Sequence, residues 1–392
     1  MGITQTSRSS QAGAGGPVRA LRRLLTRWLA RPLARRKSRH YRAAIVKLDR
    51  LGDFVLAVSA IRQVLAHFGE EQCVLLLSPQ VAPLAAREFP RTARLVLPVG
   101  VGHKRLLWAG RQARRLLGEI SCEEAVCLRH QREDWDELVL AWLNAGRTHV
   151  LDEARAGQEF AARRTLVHAA ADRIRFDPTA VAGDPACREL ERHRQLLRHV
   201  LGRPVVVAEL MPRFEHVGVG AARGGIVVTP FGSAAIRDFP EALLMAALRA
   251  VREHSAAPIT LHGDETQQSR LRQLAQTLQA AGIAAVSCAA PVDVVAFAGT
   301  VAGADLVVTV ETATAHLAAT FDRPAVILIG GGHYGEFGPW QRSARQVWVT
   351  HQVECFGCNW SCIHPEPLCL TQITAESVHA AVKQALQEGG SA

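Results

Sequence analysis

The stretch from Asp305 to Gly332, DLVVTVETATAHLAATFDRPAVILIGGG, constrains the fold more than any other part of the chain. Leu306 to Val310 is an unbroken apolar and β-branched run, too short for a helix, and reads as a strand buried on both faces. Thr312 is placed to cap a following helix, Ala313 to Phe321, with His316 in its first turn and Leu317 turned inward. Pro324 breaks that helix, and Ala325 to Ile329 restarts as a second buried strand before three glycines. A βαβ unit this compact puts a helix N-terminus at the carboxyl end of a parallel sheet, where free backbone N–H groups suit a phosphate. The same residues also read as an ordinary core unit with a capped helix.

Alternation of strands and helices continues on both sides of this unit. Strands are expected at 43–48, 73–77, 95–99 and 124–128, with helices at 53–67, 81–88 and 104–117 between them. Residues 137–201 read as mostly helical and rich in Arg and His, and 204–210 as a last strand or linker. The polar, glycine-rich segment 211–224 marks a domain boundary. A second alternation follows, with strands at 225–229, 258–262 and 284–288 and helices at 240–253, 266–281 and 292–302. The expected fold is therefore α/β, two Rossmann-like domains facing a cleft. Their spans are 43–210 and 225–372, joined by the linker 211–224 and followed by a C-terminal helix and tail, 373–392. Gly218, Gly220 and Gly224 miss the dinucleotide-binding spacing, and there is no Walker A sequence.

Charge is concentrated at one end. The chain has 392 residues with 46 Lys and Arg against 36 Asp and Glu, and residues 1–48 carry twelve of the cations and no acid. The arm 1–42 begins Ser- and Gly-rich, then continues from Pro17 with Val18, Leu21, Leu24, Leu25, Trp28 and Leu29 at helical spacing among arginines. That pattern fits a helix lying on an anionic membrane surface, with a solvated tail or a nucleic-acid contact as competing readings. No nucleic-acid-binding motif accompanies it, so nucleic acid is not expected as a partner. The arginines interrupt the apolar run too often for a signal peptide or a membrane span. The expected location is the cytoplasm, peripheral on the membrane.

Two turns carry candidate chemistry. Asp53 follows Gly52 at the end of the first strand of the first domain, placed as a general base or as a helix N-cap. In the second domain, Thr229 to Asp238 (TPFGSAAIRD) offers Gly232, Ser233 and Arg237 to a phosphate; Arg237 also reads as a surface arginine. Thr312, Ala313 and His316 face the same cleft, and Glu311 is suited to accept hydrogen bonds from backbone or a ribose. Nine cysteines fall into two sets. Five are scattered in apolar context, whereas Cys355, Cys358, Cys362 and Cys369 follow C-x2-C-x3-C-x6-C. The clustered four fit a structural Zn or Fe, with free thiols or disulfides as alternatives.

Val46 to Arg62, Val227 to Pro240 and Val307 to Gly330 together resemble three ordered motifs of glycosyltransferase family 9, the bacterial lipopolysaccharide heptosyltransferases and their relatives. The cysteine-bearing tail is similar to that of many members. The resemblance implies a GT-B fold whose C-terminal helix crosses back to the first domain. It also implies metal-independent, inverting transfer from an ADP-heptose-like donor to a lipid-linked or other cell-surface glycan. Asp53 matches the family's base, and Thr229, Ser233, Arg237, Thr312 and His316 match its diphosphate-binding positions. Arg237 stands where many members have lysine, Glu311 where aspartate is usual, and Ala313 where glycine is. A non-catalytic nucleotide-sugar binder and a protein-directed transferase are the alternative functions.

Overall fold

The computed structural model describes residues 38–99, 106–152, 171–175, 177 and 187–387. The basic arm, apart from its last residues, lies outside these. In the first domain the elements run β1 (Arg39–Lys47), α1 (Leu51–Phe68), β2 (Cys73–Leu77), α2 (Ala82–Glu88), β3 (Ala93–Val96), α3 (Leu106–Gly118), β4 (Ile120–Cys127), α4 (Asp134–Leu143), β5 (Arg147–Asp152), β6 (Ala171–Arg175), α5 (Arg188–Leu201) and the single turn α6 (Val207–Leu210). The second domain runs β7 (Ile226–Thr229), α7 (Glu241–His254), β8 (Ile259–Leu261), α8 (Gln268–Ala280), β9 (Val286–Cys288), α9 (Val294–Gly303), β10 (Leu306–Val310), α10 (Ala313–Thr320), β11 (Ala325–Leu328), β12 (Gln346–Val349), α11 (Leu368–Thr371) and α12 (Ala375–Gln387).

Both sheets are parallel throughout, in the orders β3-β2-β1-β4-β5-β6 and β12-β11-β10-β7-β8-β9. Each order reverses between its two central strands, β1 and β4 in one domain, β7 and β10 in the other. Such reversals open a crevice at the carboxyl ends of those strands, where ligands of doubly wound sheets bind.

Helix α1 explains how the two halves meet. It is long and apolar enough to cross a membrane by length and composition alone, but eight consecutive residues, Phe54 to Ile61, are buried in the protein. A helix apolar on every side needs neighbours on every side, and α1 packs against β1, α5 and α10 of the second domain. One apolar core therefore runs from Phe54 and Ile61 through to Ala315 and Leu317. The remaining core of the second domain is separate and includes Val378, Ala381 and Val382 of α12.

Four expectations are corrected. Region 137–201 contains β5 and β6, missed because their sequences, RTHVLD and ADRIR, lack an apolar run. The segment at 207–210 is a helical turn rather than a strand. β12, QVWV, extends the second sheet beyond the expected strands. The C-terminal helix packs on α7, β11 and β12 of its own domain instead of crossing back; its apolar stripe is what seals the outer face of that sheet.

The boundary segment is firmly held at its start. Glu88, whose side chain is fully buried, accepts backbone N–H bonds from Glu215, His216 and Val217 at 2.8, 3.0 and 3.2 Å, and pairs with Arg62. Gly218 has φ +78°, and a Cβ there would stand 2.7 Å from that of Ala302.

Candidate active site

In the first domain the turn after β1 starts its helix two residues earlier than the sequence reading, at Leu51 with Arg50 as N-cap. Asp53 is thus in the first turn, not the cap. It sits among charges that the fold gathers from three segments. The buried Lys47 ammonium donates to Asp49 Oδ2 and to the carbonyl of Leu128, both at 3.0 Å. Arg129, just beyond β4, approaches Asp49 Oδ2 at 4.0 Å and donates to Asp136 at 3.0 Å. Glu189, from α5, lies 2.8 Å from His130 Nδ1. Burial first, and then the neighbouring Asp49 carboxylate, push the Asp53 carboxyl up to about 7. Burial also opposes the charge on Lys47, but Asp49, Glu189 and Asp53 outweigh it and hold the ammonium above its ordinary range.

The second domain's wall is built around Glu311, buried at the end of β10. Its carboxylate accepts from Arg237 at 2.5 Å and faces His333 Nδ1 at 3.1 Å, and Arg237 also donates to its carbonyl at 2.7 Å. Burial raises the Glu311 carboxyl, but His333, Arg237 and His316 hold it below its ordinary value. Arg237 donates its other nitrogen to Ser233 Oγ at 2.9 Å and rests over the Trp360 ring. His316 is buried, 3.8 Å from Glu311 through Nε2. The indole N–H of Trp340 donates to His316 Nδ1 at 3.1 Å, so the proton of the neutral imidazole belongs on Nε2. Burial, helped by the Arg237 charge, takes the imidazole down to about 4 and keeps it neutral at physiological pH.

Two expected donor contacts are arranged differently. Thr229 is buried beneath the cleft, its hydroxyl 2.5 Å from that of Thr309, and supports the wall without lining it. The N–H of Gly232 is already committed to Asp238 Oδ1 at 2.9 Å; the glycine is needed because a Cβ would meet that of Arg237 at 2.7 Å. Thr312 does stand at the N-cap of α10, but its side chain makes no capping bond. The N–H of Ala315 turns back to the Thr312 carbonyl at 3.1 Å, whereas the N–H groups of Ala313 and Thr314 precede the first intrahelical bond, and Thr312 and Ala313 line the cleft.

The two walls touch at Gly52, where a Cβ would lie 3.2 Å from His316 Cδ2 and 3.6 Å from Ala313 Cα. Asp53, Gly232, Ser233, Arg237, Glu311, Thr312, Ala313 and His316 consequently line one cleft of about 470 Å³. Arg129, His130, His333 and Phe337 line it as well, and none of them was singled out from sequence. Their signal was faint: each follows a strand end or a glycine run, within regions read only as His- and Arg-rich or irregular.

The segment 355–369 packs Phe356 and Trp360 onto Gly330, Gly331 and Gly332, where any Cβ would come within 2.6 Å of a ring. Its role visible here is to floor the Arg237 side. Cys369 is buried, the other three thiols are half-buried, and all four are free. Among the described residues no three His, Cys, Asp or Glu side chains stand together as a metal-holding set. Burial first, and then the nearby Cys358, Cys355 and Cys362, push the Cys369 thiol above its ordinary value, so the four thiols share one neighbourhood. Of the scattered thiols, Cys73, Cys122, Cys127 and Cys187 are buried and Cys288 is half-buried, burial taking Cys127 and Cys187 up to about 12.

Two Rossmann-like domains closing on a shared cleft define the GT-B class of glycosyltransferase folds. The E. coli heptosyltransferase WaaC bound to ADP-2-deoxy-2-fluoro heptose superposes with TM-score 0.57 at 19% identity, covering 89% of this chain and 100% of the other. E. coli ADP-heptose LPS heptosyltransferase II gives 0.62 at 14%, covering 89% and 99%. A family 9 glycosyltransferase from Veillonella parvula gives 0.63 at 13%, covering 89% and 97%. No curated protein matches by sequence. Residues 168–362 match glycosyltransferase family 9 (heptosyltransferase). The chain is a glycosyltransferase, heptosyltransferase-like in its fold and in the sequence of that stretch.

Proposed function

We propose that this glycosyltransferase moves a heptose or related sugar from a nucleotide diphosphate donor to a hydroxyl of a lipopolysaccharide-core or other cell-surface glycan, by a metal-independent, inverting displacement. One observation carries the reading: Asp53 and the open N-terminus of α10 are adjacent walls of one cleft, in contact through Gly52. In the reaction, Asp53 takes the proton of the acceptor hydroxyl as its oxygen bonds to the anomeric carbon. The bond from that carbon to the diphosphate breaks, and the leaving group departs with the electron pair. A single displacement of this kind inverts the anomeric centre. The N–H groups of Thr312 and Ala313, with Arg237, meet the charge that builds on the leaving diphosphate. The ligand of the WaaC complex supports an ADP-linked heptose as donor. None of this chemistry runs through the four-cysteine segment.

The basic arm supports a peripheral position on the cytoplasmic face of the inner membrane, where a lipid-linked acceptor would be met. The test is transfer and hydrolysis from a panel of nucleotide sugars, with Asp53→Ala beside wild type. The variant should bind donor and lose transfer. Unchanged turnover would sink the base assignment, and affinity without turnover across the panel would make the protein a binding module. Undiminished activity in EDTA is expected.

A further inference from the structure

Helix α3 carries a face that the proposed reaction leaves unused. Ala109, Ala113 and Leu117 recur at helical spacing, are buried, and hold the helix on the first sheet. On the other side Leu107 and Trp108 are 76% and 52% exposed, with exposed Arg111 and Arg115 following on the same stripe. Residues 104–118, KRLLWAGRQARRLLG, hold five cations and no acid. Among the described residues no carboxylate pairs with Arg111 or Arg115. A leucine and a tryptophan in water beside unpaired arginines match the interface of an anionic bilayer, with apolar tips among acyl chains and guanidinium groups at the phosphates.

Two placements give this face a direction. The helix connects parallel strands, so it runs back from their carboxyl ends, and Leu107 and Trp108 lie on the edge of the sheet that bears the cleft. Its other end leads to Glu119, whose carbonyl accepts from the backbone N–H and the hydroxyl of Ser38 at 3.2 and 2.8 Å. The basic arm, with eleven cations in residues 1–42, therefore joins the fold at the foot of this helix.

We propose that the outer face of α3 is a second membrane contact, which seats the cleft edge of the first domain on an anionic lipid surface. Its purpose rests on the proposed transfer to a lipid-linked acceptor; its evidence does not. The full chain should float with vesicles of phosphatidylcholine and phosphatidylglycerol, and not with phosphatidylcholine alone. Leu107→Ser/Trp108→Ser and Arg111→Gln/Arg115→Gln should each weaken partition about tenfold. Emission of wild type should shift to the blue on vesicles by more than that of Trp108→Phe. Thermal unfolding is compared first, and these exposed substitutions should leave it unchanged. Partition equal to wild type in both double variants would overturn the proposal, as would binding to duplex DNA with none to vesicles. Donor hydrolysis without lipid, on the same proteins, tests the transfer reading alone: its absence would sink that reading and leave the lipid result standing.

Discussion

The indole of Trp340 donates its N–H to His316 Nδ1 at 3.1 Å, with the two rings 11° from parallel. That bond sets the imidazole tautomer and aims an N–H at the cleft beside Glu311. Trp340→Phe keeps the stacking and removes the bond, so both tautomers become available. Donor affinity, measured by calorimetry, should fall about three- to tenfold, the worth of one hydrogen bond. The fold should persist, since Trp340 anchors only a small apolar cluster with Leu56 and Ala319.

Asp53 must be ionised to act as a base, and burial together with Asp49 holds its carboxyl up to about 7. The rate kcat/KM should therefore rise with pH through that value. Asp49→Asn removes one of the raising charges and should move this acidic limb to lower pH. Stability carries the opposite sign. Between the ordinary carboxylate range and pH 7 the folded chain keeps a proton that the unfolded chain releases, so the contribution of Asp53 to stability declines as pH rises. Asp53→Asn should thus stabilise the protein more at pH 8 than at pH 5 in urea unfolding.

Arg237 bonds Ser233, the Glu311 carbonyl and the Glu311 carboxylate with two nitrogens of one planar group. A lysine retains the charge but cannot span these acceptors. Arg237→Lys should weaken nucleotide diphosphate binding about ten- to a hundredfold, read from the thermal shift that the nucleotide produces. An affinity equal to wild type would show that only the charge matters at this position.

Glu88 is remote from the cleft and tests the fold. Glu88→Ala would leave three buried or half-buried N–H groups of the boundary segment and the Arg62 guanidinium without their acceptor. A loss of about 3–5 kcal/mol in chemical unfolding is expected, with donor affinity per folded molecule unchanged.

Local pattern was sufficient wherever burial imposed a period. The unit at 305–332 formed as read, because an unbroken apolar run can only be an interior strand of a parallel sheet, and Pro324 can only end the helix before it. The turns holding Asp53 and Arg237 were legible for the same reason, each following such a strand. Polar strands were not: β5 and β6 carry arginine, histidine and aspartate, so their pairing is set by the neighbouring sheet edge rather than by their own sequence. Partnership was decided only in three dimensions. Arg237 and Glu311 are 74 residues apart, and nothing near either one indicates the other. Thr229, Gly232 and Thr312 all lie at turns beside the cleft, yet which of them can turn a donor to it depended on where Thr309, Asp238 and the start of α10 came to lie. Sequence by itself determined which strand ends meet at the cleft, because burial leaves a local signature. Tertiary structure decided which groups remain free to do it, because hydrogen-bond partners are chosen by proximity across the fold.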